Sequence, residues 1–333
     1  MNHNLQNITI LGAGAWGQAL AHLSAINGHT VRLWSRHSPI SLKAALENAN
    51  IILSAISMKG VREVANLVNS LNIEKSLKNT IILTATKGLE PHTTYTPSQI
   101  WETIFPHQPV VVLSGPNLSK EIEQKLPAAT VVASKNGAAA KQIQLVLSSQ
   151  QFRVYTNPDP LGVELGGTLK NVIAIAAGVC DGLHLGTNAK AALVTRGLTE
   201  MVRIGNTLGA KPETFYGLSG LGDLLATCNS HLSRNYQVGY QLANSKTLPE
   251  VLSSLSGTAE GVNTCRVLME IAQKHNITIP ITEQVYQLLA GEITPRQALD
   301  KLMLRDIKSE FDDFPVEQIW SRGEKCPQGK VSN

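Results

Sequence analysis

The sequence lacks the patterns that mark disulfide-rich and metal-binding proteins. Its 333 residues include four cysteines, which form no CxxC pair and no zinc-binding spacing. Its nine histidines form no HExxH motif, so the sequence predicts no metal site. Scarce cysteines without a disulfide-like pattern are typical of a reducing compartment, and we expect a cytoplasmic protein.

Long apolar runs and strong charge are also absent. The longest apolar stretch, residues 172–180, is much shorter than the roughly 20 residues of a membrane span, so no span is predicted. The N-terminus has no apolar signal-peptide core. The net charge of +4 is too mild and too evenly spread to indicate a nucleic-acid partner. It is compatible with a site for small anionic ligands.

The chain is long enough for about two domains of roughly 150 residues each. In its first half, short β-branched runs alternate with segments whose apolar residues recur at helical spacing. This alternation predicts an α/β domain with a mostly parallel, doubly wound sheet of the Rossmann type. The predicted strands are residues 8–11, 30–34, 51–56, 80–85, 110–113, 130–133 and 152–156. The predicted helices include residues 15–27, 61–71 and 137–147.

The pattern changes at residues 157–160, where two prolines follow the last predicted strand. Helical segments then replace strands almost completely. We expect one domain over 1–157 and a second, all-α domain over 158–321. Residues 322–333 carry no apolar pattern, and we expect a disordered tail there. The predicted helices of the second domain are residues 161–179, 189–208, 233–244, 262–275 and 282–290.

A GxGxxG motif directly follows the first predicted strand and opens the first predicted helix. In this position Gly12 permits a tight turn, Gly14 lets the backbone approach a pyrophosphate, and Gly17 lets helix and strand pack closely. The helix N-terminus, at Ala15 and Trp16, offers free N–H groups to phosphate oxygens. Because strand, loop and helix agree, the motif predicts a dinucleotide site rather than an ordinary glycine-rich turn.

The residue at the end of the second strand bears on the choice of cofactor. An acidic residue about 20 positions after the motif would bind the ribose 2′-hydroxyl of NAD. This sequence has Arg36 there, followed by His37. A guanidinium can hold the 2′-phosphate of NADP(H) or stack on adenine. The alternative is a solvated charge at a strand end, so the sequence favours NADP(H) without excluding NAD(H).

Two further segments follow predicted strands, at the edge of the sheet where α/β proteins bind ligands. Lys87 comes after the fourth strand, where it could reach a ligand anion or carbonyl. The alternative is a lysine in a surface loop. The segment from Ser114 to Asn117, which includes Gly115, follows the fifth strand. It either turns backbone N–H groups toward the cleft or is a plain turn.

Lys170 is the most informative single residue. It leads into an apolar stretch, residues 172–177, which predicts a helix buried nearly all round. A buried lysine is costly unless it is paired or functional. Desolvation would lower its pKa and make it a usable general acid and base. The alternative is a lysine whose ammonium reaches solvent from the start of the helix.

Two polar clusters lie further along the chain. Asp223 follows a glycine-rich stretch, where it either caps a helix or orients an ammonium group. Ser233, Arg234 and Asn235 stand at a predicted helix start. Together with free helix N–H groups they would form a phosphate cradle. The alternative is a capped helix at the surface.

Taken in order, these segments resemble the NAD(P)-dependent glycerol-3-phosphate dehydrogenase family of bacterial type, over about residues 7 to 308. Several distinctive blocks in the same order are far more specific than any single motif. The matching blocks are residues 12–17, 86–90, 114–121, 165–178, 181–182, 195–198, 220–228, 233–235, 259–261 and 280–283.

The resemblance implies reversible, NAD(P)H-dependent reduction of dihydroxyacetone phosphate to sn-glycerol 3-phosphate, which supplies glycerophospholipid synthesis. It implies that Lys170 is the proton donor and acceptor at the substrate C2 oxygen, with Lys87 and Asp223 as the other catalytic residues. The implied substrate contacts are Lys87, Gly115, Asn117, Lys170, Asn171, Asp223, Thr227, Ser233, Arg234 and Asn235. The implied cofactor contacts are Gly12, Gly14, Ala15, Trp16, Gly17, Arg36, His37, Lys87, Ser119, Arg234 and Glu260.

Two alternatives remain open from the sequence. One is a β-hydroxyacid-type dehydrogenase on the same two-domain plan, against which the phosphate cradle argues. The other is a non-catalytic NAD(P)-binding regulator, which would be expected to lose Lys170 or Asp223. The segment from Trp34 to Ile51 is shorter than in most relatives by about one strand and its loop, next to the adenine end of the cofactor. The long apolar helix faces are compatible with a homodimer.

Overall fold

The computed structural model describes residues 5–71, 77, 79–255, 257–307 and 309–310. Within these residues a sheet with its covering helices is followed by a helical region. The strands are β1 (Asn7–Leu11), β2 (Thr30–Trp34), β3 (Ile51–Ser54), β4 (Ile81–Thr84), β5 (Val110–Ser114), β6 (Ala128–Ala133) and β7 (Phe152–Asn157). The helices of the first region are α1 (Ala15–Ile26), α2 (Leu42–Leu46), α3 (Val61–Ser70), α4 (Pro97–Ile104), α5 (Ser119–Glu123) and α6 (Gly137–Leu147). Those of the second are α7 (Pro160–Gly182), α8 (Gly186–Thr207), α9 (Asp223–Cys228), α10 (Arg234–Ala243), α11 (Leu248–Ser254), α12 (Glu260–His275), α13 (Pro280–Leu289) and α14 (Pro295–Met303).

The seven strands form one sheet in the order β2-β1-β3-β4-β5-β6-β7. Neighbouring strands are parallel except β5 and β6, which are antiparallel. The strand β2 is added on one side of β1, and β3 and the later strands are added on the other side. The order of strands therefore reverses between β1 and β3. This switch point opens a crevice at the carboxyl ends of the strands, where open α/β sheets bind ligands. In the part of the chain that the structure describes, β2 is the edge strand, which agrees with the short segment that follows it.

The inner strands β3, β4 and β5 are buried on both faces because helices cover each side. Ile51 and Leu53 of β3 point into a core shared with α1 and α6. Ile52, one residue out of phase, points into the core shared with α3 and α4. Such near-continuous apolar strands are typical of a parallel sheet with both faces covered. The two cores hold the switch point in one fixed geometry.

The long helix α7 is the centre of the second region. Asp159 caps it by accepting a hydrogen bond from the N–H of Gly162 at 3.0 Å, and Pro160 occupies its first position. The helix contacts α8, α9, α10, α12 and α13, and it also reaches β5 and β6. Val163 near its start packs on these two strands. It therefore connects the sheet to the helical region.

Two glycines let α7 and α10 pack backbone against backbone. A Cβ atom added to Gly239 would lie 1.8 Å from the carbonyl oxygen of Ile175. One added to Gly178 would lie 2.1 Å from the carbonyl oxygen of Tyr236. Because no side chain fits at either position, the two helices are held in direct contact.

By length and composition, α7 is the one helix among the described residues that could cross a membrane. Its most apolar window is 100% buried inside the protein. Five other helices cover it, as expected for the core helix of the domain.

The alternating and helical regions follow the sequence prediction, and all seven predicted strands are present. The helix predicted over 137–147 has those bounds, whereas the strand predicted over 51–56 ends at Ser54. Six helices lie outside the predicted helix ranges: α2, α4, α5, α9, α11 and α14. The change of architecture falls at residues 157–160, and the division into two domains stays a prediction. The tail expected over 322–333 lies outside the described residues.

Candidate active site

The glycine motif forms the turn between β1 and α1 at the switch point. Gly12 adopts a φ of +117°, a conformation that side chains disfavour, and its N–H donates to the carbonyl of Trp34 at 2.8 Å. A Cβ on Gly17 would lie 1.9 Å from the carbonyl oxygen of Gly12. A Cβ on Gly14 would meet no atom within 4 Å, and no side chain caps α1. The first N–H groups of α1, at Ala15 and beyond, thus face open space.

The loop after β4, residues 85–96, brings Lys87 to the cleft. The indole Nε1 of Trp16 donates to the carbonyl of Ala85 at 3.2 Å, so α1 fixes the start of this loop. The N–H of Gly88 donates to Thr168 Oγ1 on α7 at 3.0 Å. The loop that carries Lys87 is therefore attached both to the dinucleotide motif and to the helical region.

Lys170, Asp223, Lys87 and Thr227 form a compact cluster between the two regions. Lys170 Nζ lies 2.7 Å from Asp223 Oδ1 and also donates to Thr227 Oγ1. Lys87 Nζ lies 2.5 Å from Asp223 Oδ2 and 3.3 Å from the carbonyl oxygen of Gly115. One carboxylate thus accepts from two lysines. Asp223 orients ammonium groups and is the first residue of α9, not its cap.

The electrostatics of this cluster make the Lys170 proton labile. Lys170 is buried on α7, as the sequence predicted, and 6% of its surface is exposed. Burial lowers the pKa of Lys170 from 10.5 to about 8, with Asp223 opposing the shift and the charge of Lys87 adding to it. A lysine with this pKa can both donate and accept a proton near neutral pH.

A second chain of hydrogen bonds runs from α7 to α12. Asn235 Nδ2 donates to Asn171 Oδ1 at 2.9 Å, and Asn235 Oδ1 accepts from the N–H of Gly261 at 2.9 Å. Both asparagines are buried. Asn171 directly follows Lys170, so these bonds fix the start of α10 relative to the proposed proton donor.

The start of α10 presents a charged and capped helix end. Ser233 is its N-cap and accepts from the N–H of Tyr236 at 3.2 Å. Arg234 is exposed and lies against Gly257, where an added Cβ would approach the guanidinium to 2.4 Å. Among the described residues, no carboxylate lies within ion-pair distance of Arg234. The side chain and the helix N-terminus can therefore bind an anion.

Glu260 joins the helical region to the loop after β3. Its Oε1 accepts from the N–H of Met58 at 3.2 Å, across 202 positions of sequence. Burial raises the pKa of Glu260, and the hydrogen bond from Met58 opposes this shift. The residue thus lies against the loop after β3, beside the switch point.

The other predicted cofactor residues lie at the margins of the site. Arg36 follows β2 and forms an exposed ion pair of 3.5 Å with Glu63. His37 is exposed beside it, and Ser119 is half-buried at the start of α5. Arg36 and His37 follow the edge strand β2, whereas Ser119 follows the inner strand β5. Among the described residues, none of the three forms a hydrogen bond with the lysine cluster.

The side chain of Asn117 bonds to the neighbouring strand β6 and not to the lysine cluster. Its Nδ2 donates to the carbonyl of Ala129 at 3.2 Å, and its Oδ1 accepts from Thr130 Oγ1 at 2.8 Å. Both partners belong to β6. The amide therefore shapes the loop after β5, which supports Gly115 beside Lys87.

The sequence analysis missed two polar residues of α7 that hold the Lys87 loop. Glu164 accepts from the N–H and Oγ of Ser98, at 2.9 and 2.6 Å, and so binds the first turn of α4. Thr168, one turn further along α7, binds Gly88. The argument applied to Lys170 would have found them, because a polar side chain on a fully buried helix requires a partner.

Among the described residues, no group of three or more His, Cys, Asp or Glu side chains lies close enough to hold a metal ion. Cys180, Cys228 and Cys265 are buried as free thiols.

The two halves of the chain match the two family models of one enzyme. The model for the N-terminal part of NAD-dependent glycerol-3-phosphate dehydrogenase matches residues 7–41 and 37–140. The model for the C-terminal part matches residues 159–300. The chain belongs to the NAD(P)-dependent glycerol-3-phosphate dehydrogenase family. The N-terminal match consists of two parts that overlap at residues 37–41. This overlap lies within the segment from Trp34 to Ile51, which is shorter than in most relatives.

Named relatives of this dehydrogenase family cover nearly the whole chain. Glycerol-3-phosphate dehydrogenase (NAD(P)+) of a Nostoc species is 72% identical over 305 residues, which are 92% of this chain and 98% of the relative. The protein of the same name from Trichormus variabilis has the same identity and coverage. The crystal structure of the enzyme from Coxiella burnetii is 38% identical, covers 90% of this chain and 99% of its own, and gives a TM-score of 0.85.

Membership in this family agrees with the fold and site described above. The Coxiella burnetii dehydrogenase shares the sheet followed by a helical region, at a TM-score of 0.85. The relatives support the glycerol-3-phosphate dehydrogenase prediction and neither of its alternatives, the β-hydroxyacid-type dehydrogenase or the non-catalytic regulator.

Proposed function

We propose that this protein catalyses the reversible, NAD(P)H-dependent reduction of dihydroxyacetone phosphate to sn-glycerol 3-phosphate. The observation that carries the proposal is the Asp223 carboxylate shared by Lys87 and Lys170, between the glycine motif and the start of α10. The loop that carries Lys87 bonds to Trp16 of α1, and Asn171, next to Lys170, bonds to Asn235 at the start of α10. A carbonyl with a phosphate group nearby fits this arrangement.

The glycine motif fits a nicotinamide dinucleotide on structural grounds. The space above Gly14 is open, Gly12 and Gly17 keep side chains out of the turn, and the first N–H groups of α1 have no side-chain cap. When bound, NAD(P)H supplies a hydride. We assign the pyrophosphate to this turn and the adenine end to Arg36 and His37. The proposed cofactor contacts are Gly12, Gly14, Ala15, Trp16, Gly17, Arg36, His37, Lys87, Ser119, Arg234 and Glu260.

The substrate phosphate is assigned to the start of α10. Arg234 and the helix N–H groups supply positive charge, and Ser233 supplies a hydroxyl. The substrate hydroxyl is assigned to Asn171 and Asn235. The two side chains are joined by a hydrogen bond of 2.9 Å from Asn235 Nδ2 to Asn171 Oδ1. The proposed substrate set also includes Lys87, Gly115, Asn117, Lys170, Asp223 and Thr227. Within it, Asn117 acts through the loop that it shapes.

The proton chemistry is assigned to Lys170. In the reduction its ammonium donates a proton to the C2 oxygen as the carbonyl carbon accepts a hydride, so the ketone becomes a secondary alcohol. Lys87 polarises the same carbonyl and keeps a positive charge beside the developing alkoxide. Asp223 holds both ammonium groups at 2.5 and 2.7 Å. In the reverse direction neutral Lys170 accepts the hydroxyl proton.

The wider setting follows from the same proposal. The product glycerol 3-phosphate would supply glycerophospholipid synthesis, and the enzyme would act in the cytoplasm. We divide the chain into a dinucleotide-binding domain (1–157) and a substrate domain (158–321). A homodimer through the helical domain is part of the proposal and is tested by light scattering of the purified protein.

The experiment that tests the reaction follows oxidation of NADPH and of NADH at 340 nm. Dihydroxyacetone phosphate is the substrate, and unphosphorylated dihydroxyacetone is the control. We expect oxidation that requires the phosphate. Absence of oxidation with both cofactors, in folded protein that binds NADH, would overturn the substrate assignment and leave the dinucleotide site standing.

A further inference from the structure

The side chain of Lys87 lies against α7 at a glycine. A Cβ atom added to Gly167 would lie 3.2 Å from Lys87 Cε and 3.5 Å from Lys87 Cδ. Both carbons belong to the stem that carries the ammonium group. Carbon atoms in contact prefer a separation of about 3.5–4.0 Å, so the stem takes the space that a side chain at position 167 would need. The glycine lets the stem rest on the backbone of the helix.

Ser114, the last residue of β5, approaches the same glycine from the sheet. The added Cβ on Gly167 would lie 2.2 Å from Ser114 Oγ. Ser114 is 2% exposed, and its hydroxyl forms no hydrogen bond with any described residue. The hydroxyl therefore acts here through its volume. Gly167 and Ser114 bound a narrow space that we call the Lys87 slot.

The backbone beside Lys87 is fixed to the same turn of α7. The N–H of Gly88 donates to Thr168 Oγ1 at 3.0 Å, and Thr168 is fully buried. Leu89, the next residue of the loop, is 1% exposed within the apolar core of the helical region. Lys87 is thus held through its backbone by Thr168 and along its stem by Gly167, two consecutive residues of one helix.

The Lys87 slot ends at the two acceptors of the ammonium group. Lys87 Nζ lies 3.3 Å from the carbonyl oxygen of Gly115 and 2.5 Å from Asp223 Oδ2. Lys170, less than one turn after Gly167 on α7, donates to the other oxygen of Asp223 at 2.7 Å. One helix therefore places both lysines on one carboxylate. A shift of the Lys87 stem would take its ammonium away from Asp223.

We propose that Gly167 is a positioning residue for the reaction, because the absence of a side chain there holds the Lys87 ammonium on Asp223. This role rests on the proposed reduction, in which Lys87 polarises the substrate carbonyl. Gly167 itself belongs to neither the substrate contacts nor the cofactor contacts. It acts through Lys87 alone, and a single methyl group at position 167 would displace the ammonium.

Competitive acetylation of lysines, followed by mass spectrometry, tests the placement without any need for activity. Gly167→Ala should make Lys87 react several times faster than in the unmodified protein, because its ammonium loses the carboxylate at 2.5 Å. Lys190 is the internal control, since it pairs with Asp181 at 2.6 Å. The two lysine side chains are similarly covered, at 22% and 18% exposed. Unchanged acetylation of Lys87 would overturn the proposal.

A double-mutant cycle with Lys87→Met tests the effect on the reaction. Alone, Gly167→Ala should slow single turnovers of dihydroxyacetone phosphate by about 10–100-fold, as for a reacting group displaced by about 1 Å. In the Lys87→Met background it should slow them by less than about twofold, because no ammonium is left to displace. Equal losses in both backgrounds would overturn the proposal, since the substitution would then act on the fold of α7 and not through Lys87.

Gly182→Ala is the matched control on the same helix. Its added Cβ would lie 2.6 Å from Ala243 Cβ, so it should lower the thermal midpoint and leave the acetylation of Lys87 unchanged. If Gly167→Ala does not fold, Thr168→Val gives the same test, because it removes the acceptor of the Gly88 N–H.

Thr168→Val should then speed the acetylation of Lys87 and slow turnover, and Thr168→Ser should restore both. Unmodified behaviour of Thr168→Val in both measurements would refute the proposal. Absence of turnover in the unmodified protein would instead refute the proposed reaction, and the acetylation of Lys87 would still decide whether Gly167 positions this side chain.

Discussion

Asp223 accepts a hydrogen bond from Lys170 at 2.7 Å across 53 positions of sequence, and both side chains are buried. The other oxygen of the same carboxylate faces Lys87 at 2.5 Å. The side chains of two lysines and one carboxylate therefore form one cluster. Burial lowers the pKa of Lys170 to about 8, Asp223 opposes this shift, and the positive charge of Lys87 adds to it.

Replacing Lys170 with Met should remove the proton donor while keeping much of the side-chain volume. We expect kcat for the reduction to fall by at least about 10²–10⁴-fold, the usual contribution of a positioned acid. The affinity for NADH, measured by fluorescence titration, should stay the same. Lys190→Met is the control, because Lys190 also pairs with a carboxylate, Asp181, at 2.6 Å. Turnover near the unmodified level in Lys170→Met would exclude the proposed role.

The lowered pKa of Lys170, about 8, predicts opposite pH profiles for the two directions. The reduction uses the protonated lysine, so kcat/KM should fall as pH rises above about 8. The oxidation uses the neutral lysine, so kcat/KM should rise with pH and level off above the same value. Thr227→Val removes a hydrogen bond to the ammonium and should move both breaks to lower pH. Profiles without a break between pH 7 and 9 would contradict the assignment.

Glu164 predicts a loss of stability as the pH rises. Burial raises the pKa of Glu164 from 4.5 to about 7. The folded protein keeps this proton up to about pH 7, whereas the unfolded chain releases it near pH 4.5. The contribution is therefore present at low pH and lost as the pH rises through the folded pKa, at a slope of at most about 1.4 kcal/mol per unit.

Urea unfolding at pH 5 and at pH 7.5 checks this prediction. In Glu164→Gln the difference between the two midpoints should be smaller than in the unmodified protein. Glu200 has a pKa raised to about 7 by burial as well, so part of the difference should remain. Glu63→Gln serves as the control, since Glu63 lies on α3 in a long, exposed ion pair with Arg36. An equal pH dependence in Glu164→Gln would show that Glu164 is ionised in the folded state at both pH values.

The contact between α7 and α10 predicts a large effect of one methyl group. Gly239→Ala would place Cβ 1.8 Å from the carbonyl oxygen of Ile175, so the helices must separate. We expect the free energy of unfolding to fall by on the order of 3 kcal/mol, as for an overpacked core. Gly137→Ala is the control, because its added Cβ meets no atom within 4 Å and should change stability by less than about 1 kcal/mol. Thermal unfolding followed by circular dichroism measures both.

Arg36 predicts a preference between the two cofactors. If its guanidinium holds the 2′-phosphate, Arg36→Ser should raise KM for NADPH about tenfold and leave KM for NADH nearly unchanged. The NADH assay in the same variant is the internal control. Equal effects on both cofactors would indicate stacking on adenine, and no effect on either would leave Arg36 as a solvated charge paired with Glu63.

The parts of the fold that depend on local sequence could be predicted. The glycine motif needs only a strand, a turn and a helix in succession, and the strands of the sheet are short β-branched runs. The missed helix α4 also had a local signal, since Thr96 and Gln99 form a capping box before an apolar run and Pro97 occupies the first turn. It was missed although the signal was present.

The contacts between distant segments could not be derived from spacing. Lys170 and Asp223 are 53 positions apart, Glu164 and Ser98 are 66 apart, and Met58 and Glu260 are 202 apart. Periodicity indicates which residues are buried, but the partner of a buried polar group depends on how the elements pack. The burial of Lys170 could therefore be predicted from its surroundings, whereas its pairing with Asp223 came from the family resemblance.

The glycine contact between α7 and α10 also sets a length. Lys170 belongs to α7 and Ser233 to the start of α10, and the two helices touch backbone to backbone at Gly178 and Gly239. The backbone contact therefore fixes the distance between Lys170, the proposed proton donor, and the proposed phosphate site at Ser233. A phosphorylated ketone one carbon longer or shorter would bring its phosphate to the helix end with its carbonyl out of register with Lys170. Gly178 and Gly239, which do not contact the substrate in this proposal, would thus set the substrate length that the enzyme accepts.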